Sequence, residues 1–294
     1  MLRTPSCWYT YVFGYLFPLN ATCDDRWNAV LDSFNRPITY LRISVTDKCD
    51  LRCVYCMPAQ GVPLLRHEEL LSFEEIAEVA RAAAAMGITK LRLTGGEPLV
   101  RRGIVTLVSM LAALEGIRDL AMTTNGQQLA RFARDLADAG LQRVNVSLDA
   151  LAPERYAEIT RGGDVRNVLE GIERARDAGL GPIKLNCVIG DSPEEPDARD
   201  VAAYGRAEGL EVRFIRRMNL SAGTFSKVIG GEGGDCAHCN RLRLSCDGNI
   251  RPCLFSNLGF GVRELGAARA IEAAVGAKPE RGDCCTTAFN IIGG

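Results

Sequence analysis

Short β-rich runs alternate with amphipathic stretches rich in Ala, Glu and Arg between residues 38 and 217, and this rhythm constrains the fold more than any other feature. Runs with strand character lie at 38–45, 88–94, 118–124, 142–148, 182–189 and 211–217, and helical stretches lie at 72–86, 101–115, 127–139, 166–178 and 197–208. Such alternation is typical of parallel strands with helices packed outside. The sequence therefore predicts an α/β fold built as a partial (β/α)6 barrel, with functional groups at the carboxyl ends of its strands.

The same rhythm divides the chain into three segments. Nine of the 19 aromatic residues, including both Trp, fall within the first 40 positions. We expect residues 1–34 to form a poorly ordered extension or to result from an early start codon, while a signal peptide and a membrane-surface anchor are the alternatives. The barrel is expected over residues 35–218. After Met218 the sequence becomes Gly-rich, and we expect residues 219–294 to form a small C-terminal domain.

The cysteine content limits the chemistry that the chain can perform. The chain has twelve Cys but only two His, so it has few residues for His-based metal sites or for Ser-His-Asp catalysis. The thiols are clustered, which is typical of metal ligands in a reducing compartment, and we therefore expect a cytoplasmic protein. The net charge is −1 and apolar runs are short, so we expect no nucleic-acid partner and no membrane-spanning helix.

A loop of three cysteines, Cys49, Cys53 and Cys56, follows directly on the first predicted strand. Three thiolates can hold three irons of a cubane cluster and leave the fourth iron open to another ligand. A closed zinc site would need four ligands, although a structural zinc site and incidental cysteines are the alternatives. Polar clusters end the next three predicted strands, at 95–98 (GGEP), 123–126 (TTNG) and 145–149 (NVSLD).

With these motifs in this order, the chain resembles the radical S-adenosylmethionine (SAM) superfamily, whose three-cysteine loop carries an aromatic residue, here Tyr55, before the last cysteine. The resemblance implies a [4Fe-4S] cluster on Cys49, Cys53 and Cys56. It also implies that SAM binds at the open iron and is cleaved reductively to methionine and a 5′-deoxyadenosyl radical. The residues that match the superfamily's SAM contacts are Tyr55, Gly96, Ser147 and Met218.

A second cysteine cluster lies at 234–255 (GDCAHCNRLRLSCDGNIRPCLF). This stretch resembles the GTP 3′,8-cyclase family of molybdenum-cofactor biosynthesis, as do residues 36–47 and the closing residues 292–294 (IGG). The resemblance implies an auxiliary [4Fe-4S] cluster held by Cys236, Cys239 and Cys253. A zinc site that also uses Cys246 is the alternative interpretation.

The family resemblance implies a lyase that converts GTP to (8S)-3′,8-cyclo-7,8-dihydroguanosine 5′-triphosphate. It assigns catalytic roles to Arg42, Arg92 and the diglycine Gly293 and Gly294. It implies GTP contacts from Arg42, Arg92, Thr123, Lys184, Arg241 and Arg243. Arginines inside predicted strands suit this role, because an unpaired buried charge is unfavourable and a triphosphate needs several converging cations. An electron donor such as flavodoxin or ferredoxin is the implied partner, and a homodimer is allowed.

The chain departs from the family pattern beside the predicted substrate site. Only 17 residues separate Met218 from Cys236, several tens fewer than the family usually has, and Arg216 stands where the family usually has Glu. The tail at 283–289 lacks clear similarity to the family. Two other functions therefore stay open: a shortened radical SAM enzyme that acts on another substrate such as a peptide, and a non-catalytic iron–sulfur or zinc scaffold.

Overall fold

The computed structural model describes residues 9–12, 15–18 and 29–293 of the chain. Two short strands, β1 (Tyr9–Val12) and β2 (Tyr15–Pro18), form an antiparallel pair. The barrel region then runs through β3 (Tyr40–Ser44), α1 (Phe73–Ala85), β4 (Lys90–Thr94), α2 (Ile104–Ala112), β5 (Asp119–Thr124), α3 (Leu129–Asp138), β6 (Arg143–Ser147), α4 (Pro153–Thr160), α5 (Val165–Asp177), β7 (Lys184–Ile189), α6 (Pro196–Ala207) and β8 (Glu211–Arg216).

The segment that follows adds β9 (Arg241–Leu244), β10 (Asn249–Arg251), β11 (Phe260–Gly261), α7 (Val262–Leu265), α8 (Ala267–Gly276) and α9 (Phe289–Ile292). All six predicted strands and all five predicted helices are present, with bounds that differ by three residues or less. The start of α1 shows how the local sequence determines where a helix begins. The Ser72 hydroxyl accepts from the Glu75 amide at 3.2 Å and the Glu75 carboxylate accepts from the Ser72 amide at 2.7 Å, a reciprocal cap.

The six strands β3 to β8 pair in parallel and in chain order, and the sheet does not close on itself. This confirms the predicted partial barrel. Strand β9 extends the sheet by pairing in parallel with β3, and β10 and β11 follow antiparallel. The segment after Met218 therefore shares the sheet of the barrel.

The two faces of the strands differ in chemistry. Residues such as Leu41, Leu91 and Val144 are buried in the apolar core beneath the helices. Their neighbours along each strand face the barrel interior, because side chains alternate with a period of two. Parallel pairing places Arg42 opposite both Arg92 of β4 and Arg243 of β9, so cations from three strands meet on the inner face.

Residues 29–34, which the sequence assigned to the extension, are attached to the body. The Val30 amide donates to the Met86 carbonyl at 3.1 Å, and the Ile38 amide donates to the Val30 carbonyl at 2.9 Å. A buried ion pair joins Asp32 to Arg36 at 2.6 Å. In the described part of the chain, none of the helices has the length and apolar character that a membrane crossing would require.

Candidate functional site

One cavity of about 1270 Å³ occupies the barrel interior. Ligand pockets commonly measure roughly 300–1000 Å³, so this cavity has room for more than one small molecule. All the predicted cluster, SAM and GTP residues line it: Cys49, Cys53, Cys56, Tyr55, Gly96, Ser147, Met218, Arg42, Arg92, Thr123, Lys184, Arg241, Arg243, Cys236, Cys239 and Cys253.

The first cysteine set lies in the loop after β3, at the carboxyl edge of the sheet. Cys49, Cys53 and Cys56 are free, half-buried thiols. The Leu51 amide donates to the Cys49 sulfur at 3.4 Å. Burial raises the pKa of Cys49 and Cys53 to about 12, so thiolates here need a compensating cation. Three free thiols with an amide directed at sulfur fit a cubane iron–sulfur cluster.

The GGEP segment packs directly against the backbone of this loop. The Gly96 amide donates to the Thr46 carbonyl at 2.7 Å, and the Glu97 amide donates to the Lys48 carbonyl at 2.8 Å. A Cβ atom on Gly96 would lie 2.3 Å from the Lys48 oxygen, so only glycine allows the strand end to approach the loop this closely.

Glu97 links the GGEP and TTNG motifs. This buried carboxylate accepts from the Thr124 hydroxyl at 2.7 Å, the Asn125 amide at 2.7 Å and the Leu99 amide at 3.1 Å. Burial raises the pKa of Glu97 to about 7, while these three hydrogen bonds act in the opposite direction. The two motifs are thereby held as one rim beside the cysteine loop.

Asp149, the last residue of the NVSLD motif, positions Tyr55. The Tyr55 hydroxyl donates to the Asp149 carboxylate at 2.6 Å, and the Val188 amide donates to its other oxygen at 2.8 Å. Burial raises the pKa of both Tyr55 and Asp149. Tyr55, the aromatic residue predicted to contact SAM, is therefore fixed to the barrel by Asp149, a motif residue for which the sequence predicts no role of its own.

Arginines form the middle of the inner wall, where Arg92 is buried and Arg42 and Arg243 are half-buried. Burial, together with neighbouring cations, lowers the pKa of Arg42, Arg92 and Arg243 to about 10. The Arg92 guanidinium lies over the Tyr40 ring at 5.8 Å and donates to the Thr123 hydroxyl at 3.5 Å, while its buried Nε atom has no hydrogen-bond partner. All three remain protonated at neutral pH, so they form a preorganised site for an anion.

Further cations on the same inner face were not named in the sequence prediction. Lys90, Arg143 and Arg213 line the cavity from β4, β6 and β8. Arg143 is paired with Asp119 by a donation at 2.8 Å, and Glu211 accepts from both Arg213 at 2.7 Å and Lys184 at 2.5 Å. The period-two alternation along each strand is the sequence signal that identifies these positions.

The second cysteine set lies at the opposite edge of the sheet. Cys236 and Cys239 precede β9, which begins beside the start of β3, and Cys253 follows β10, which runs antiparallel to β9. A five-residue strand spans about 13 Å at 3.3 Å per residue, so a strand length separates the two sets. The Phe255 amide donates to the Cys253 sulfur at 3.4 Å.

Cys246 is separated from these three thiols by the length of β9. It is fully buried at the carboxyl end of that strand, does not line the cavity, and donates its amide to the Ile291 carbonyl at 3.2 Å. The four-thiol zinc interpretation therefore lacks its fourth ligand. Burial acts to raise the pKa of Cys239, yet Lys278 and Arg241 lower it, so this thiol is polarised toward the thiolate that iron requires.

The C-terminal tail reaches the carboxyl ends of β3 and β4. Arg243 donates to the Gly293 carbonyl, and the Asn290 amide side chain donates to the Asp47 carbonyl at 3.0 Å. A Cβ atom on Gly293 would lie 2.3 Å from the Thr94 hydroxyl oxygen. Gly293 thus packs beside the cavity rather than lining it, and Gly294 lies outside the described residues.

The shortened segment 219–235 forms part of the cavity wall. Asn219 and Thr224 pair across a tight turn, and the Phe225 ring stacks on Phe255 with centroids 4.4 Å apart. Arg216, in place of the family's usual Glu, donates to the Asp191 carbonyl at 2.8 Å. The cavity is therefore walled on this side by a compact loop.

Comparison with known proteins shows which family this chain is similar to. The sequence profile of the Radical SAM superfamily matches residues 43–203. The GTP 3′,8-cyclase of Moorella thermoacetica is 41% identical over 301 aligned positions, which take in 84% of this chain and 93% of the relative. The GTP 3′,8-cyclase of Thermodesulfovibrio yellowstonii is 40% identical over 280 positions, covering 80% of this chain and 87% of the relative.

Solved structures support the fold. The AdoMet-bound structure of anSMEcpe superposes with a TM-score of 0.61 at 12% identity, covering 83% of this chain and 78% of that chain. Streptococcus suis SuiB bound to S-adenosylmethionine gives 0.59 at 14% identity, covering 77% and 63%. At this identity the likeness concerns the fold alone.

Proposed function

The chain belongs to the radical SAM superfamily and, within it, to the GTP 3′,8-cyclases, and from this premise we propose how its residues convert GTP to (8S)-3′,8-cyclo-7,8-dihydroguanosine 5′-triphosphate. The observation that supports the proposal best is the composition of the cavity. One cysteine set lines it at the carboxyl edge of the sheet, another at the amino edge, and buried and half-buried arginines lie on the wall between them.

Cys49, Cys53 and Cys56 would hold the [4Fe-4S] cluster at which SAM binds, and Cys236, Cys239 and Cys253 would hold a second [4Fe-4S] cluster. When bound, the first cluster and SAM would supply a 5′-deoxyadenosyl radical, which removes a hydrogen atom from C3′ of GTP to give 5′-deoxyadenosine before C3′ bonds to C8 of guanine. The cyclised nucleotide then needs one further electron, from the external donor, and one proton to become the 7,8-dihydro product. Tyr55, Gly96, Ser147 and Met218 are the residues that we assign to SAM.

The arginine wall binds the triphosphate. Arg42, Arg92 and Arg243 are charged, at least half-buried and close in register, so they offer several N–H donors without reorganisation when the substrate enters. Arg241, Lys184 and Thr123 complete the predicted set. Because Lys184 is paired with Glu211, its contribution is shared with that carboxylate, whereas Arg92 keeps an unused buried Nε donor for the ligand.

Positioning controls the outcome of the radical reaction. In GTP the ribose joins the base to the triphosphate, so a triphosphate held by the arginines and a base held at the second cysteine set would fix the ribose between them, inside the cavity that SAM shares. Fixing both ends of GTP favours one path for a reactive radical. Gly293 and Gly294 are assigned to the catalytic machinery because the tail reaches the carboxyl end of β3 and β4 and is bonded to Arg243.

The partners follow from the chemistry. An external one-electron donor such as flavodoxin or ferredoxin would reduce the first cluster, and oxygen-sensitive clusters suit a cytoplasmic location; a homodimer remains part of the proposal. No observation favours the alternative of a peptide substrate, because the peptide-bound structures of SuiB and anSMEcpe are only 17% and 14% identical to this chain and share its fold alone.

The proposal is tested by anaerobic turnover with GTP, SAM and dithionite. We expect formation of 5′-deoxyadenosine to require GTP and to match the cyclised nucleotide in amount. Formation of 5′-deoxyadenosine at the same rate without GTP, or its formation with no cyclised product, would contradict the assigned substrate.

A further inference from the structure

Lys278 is a buried lysine behind the second cysteine set. It is 3% exposed and lies just after α8. Its ammonium donates to the Arg241 carbonyl at 2.7 Å and to the Pro252 carbonyl at 2.8 Å, and it lies near enough to the Cys239 thiol to lower the pKa of that thiol. One cation therefore contacts the backbone beside both arms of this cysteine set, two residues after Cys239 and one residue before Cys253.

Within residues 9–12, 15–18 and 29–293, the charge of Lys278 has no acidic partner. Among the described residues, lysine ion pairs are those of Lys184 with Glu211 and of Lys227 with Asp235. A buried ammonium whose neighbours are carbonyls and sulfurs lacks a full compensating charge. The anion that would compensate it is a thiolate-ligated iron–sulfur cluster on the adjacent cysteines.

The cation is also held in place. Arg36 donates to the Cys236 carbonyl at 2.6 Å, to the Pro279 carbonyl at 2.7 Å and to the Glu280 carbonyl at 3.0 Å. Arg36 is itself fixed by its buried ion pair with Asp32. The cysteine loop and the chain that carries Lys278 are thus joined, and the ammonium cannot move into solvent without breaking this arrangement.

We propose that Lys278 is the fixed counter-cation of the second cluster and raises the reduction potential of that cluster. The inference rests on the proposed function, because it requires the cluster on Cys236, Cys239 and Cys253. Reduction adds one electron from an external donor and makes the cluster more negative, and no bond forms or breaks. A buried cation stabilises the reduced state more than the oxidised state, so its removal lowers the potential.

The test is an EPR-monitored redox titration of the anaerobic holoenzyme with dithionite, in which the response to SAM identifies the signal of the first cluster. K278Q and K278M remove the charge, and K278R keeps it. K227Q is the matched control, because Lys227 is an exposed lysine paired with Asp235 beside Cys236. Iron content is measured for every sample.

We expect K278Q and K278M to lower the reduced-to-oxidised ratio of the second cluster at a fixed potential at least tenfold, about 59 mV for one electron. We expect K278R and K227Q to change that ratio less than twofold and the first cluster to be unaffected in all variants. Loss of the second cluster in K278Q and K278M, with retention in K278R, also supports the inference.

The inference is overturned if K278Q retains the second cluster and the reduction potential of that cluster is unchanged. It is also overturned if K278R shifts this potential, or loses the second cluster, as much as K278Q does. These outcomes leave the proposed function intact. A wild-type protein with about four irons instead of about eight would lack the second cubane cluster and would contradict both the proposed function and the inference.

Discussion

Replacing Arg92 by Met should stabilise the fold and weaken GTP binding at the same time. Arg92 is 5% exposed, and burial together with Arg42 and other cations lowers its pKa from 12.5 to about 10. Holding the charge therefore opposes folding by on the order of 3 kcal/mol, since one pKa unit corresponds to about 1.4 kcal/mol. Contacts with Tyr40 and Thr123 offset about 1–2 kcal/mol of this, so we expect a net gain of about 1–2 kcal/mol in the free energy of unfolding.

The sign of the pH dependence follows from the same shift. Because the pKa of Arg92 in the fold lies below its unfolded value, the destabilisation is complete below about pH 10 and disappears as the pH rises further. The difference between R92M and wild type should therefore be constant between pH 7 and pH 9. A triphosphate that loses one charge-assisted donor should bind about 10- to 150-fold more weakly, from about 1.5–3 kcal/mol per such bond.

Two assays separate these effects. Anaerobic thermal unfolding should give R92M a midpoint about 2–8 °C above wild type, at about 2–4 °C per kcal/mol for a chain of this size. Calorimetric titration with GTP in the absence of SAM reports the affinity. R134M is the control, because Arg134 on α3 is 68% exposed and should leave both values unchanged. A lower unfolding midpoint together with unchanged GTP affinity would refute the assignment of Arg92 to the anion site.

Three further substitutions test the rest of the site. In G96A the new Cβ would lie 2.3 Å from the Lys48 oxygen, so we expect the cysteine loop to be displaced. The iron content should then fall by about four per chain, the content of one cubane cluster. An unchanged iron content would contradict the close packing. D149N should release Tyr55 and weaken SAM binding about tenfold, from loss of about 1.5 kcal/mol in a charge-assisted hydrogen bond, with GTP affinity as the internal control. C246A should keep the wild-type iron content and lower the free energy of unfolding by about 1 kcal/mol, because Cys246 is a buried side chain outside the cavity. Loss of the second metal centre in C246A would instead support a zinc site that uses all four thiols.

The sequence predicted the six strands and five helices of the barrel because their periodicity is strong and their ends carry caps or glycines. It missed α4, β9, β10 and α8, which are short or lie after the break in rhythm at Met218. Strand β9 has only four residues, and its parallel pairing with β3 is a long-range contact that local patterning does not report.

The site shows the same division between local and long-range information. The motif residues line one cavity as expected, but the ion pair of Lys184 with Glu211 depends on the register of β7 against β8, which the sequence leaves open. Cys239 and Cys246 are seven positions apart, which suggested a common site. They lie at opposite ends of β9, so an intervening strand, rather than the spacing along the chain, decides which thiols act together.

We propose above all that GTP binds in the cavity lined by the second cysteine set. The most direct measurement is the EPR spectrum of the reduced second cluster in the C49A/C53A/C56A variant, recorded with and without saturating GTP. We expect GTP to change this spectrum and SAM to leave it unchanged. A spectrum that is the same with and without GTP, in a protein that retains this cluster and binds the nucleotide, would contradict it.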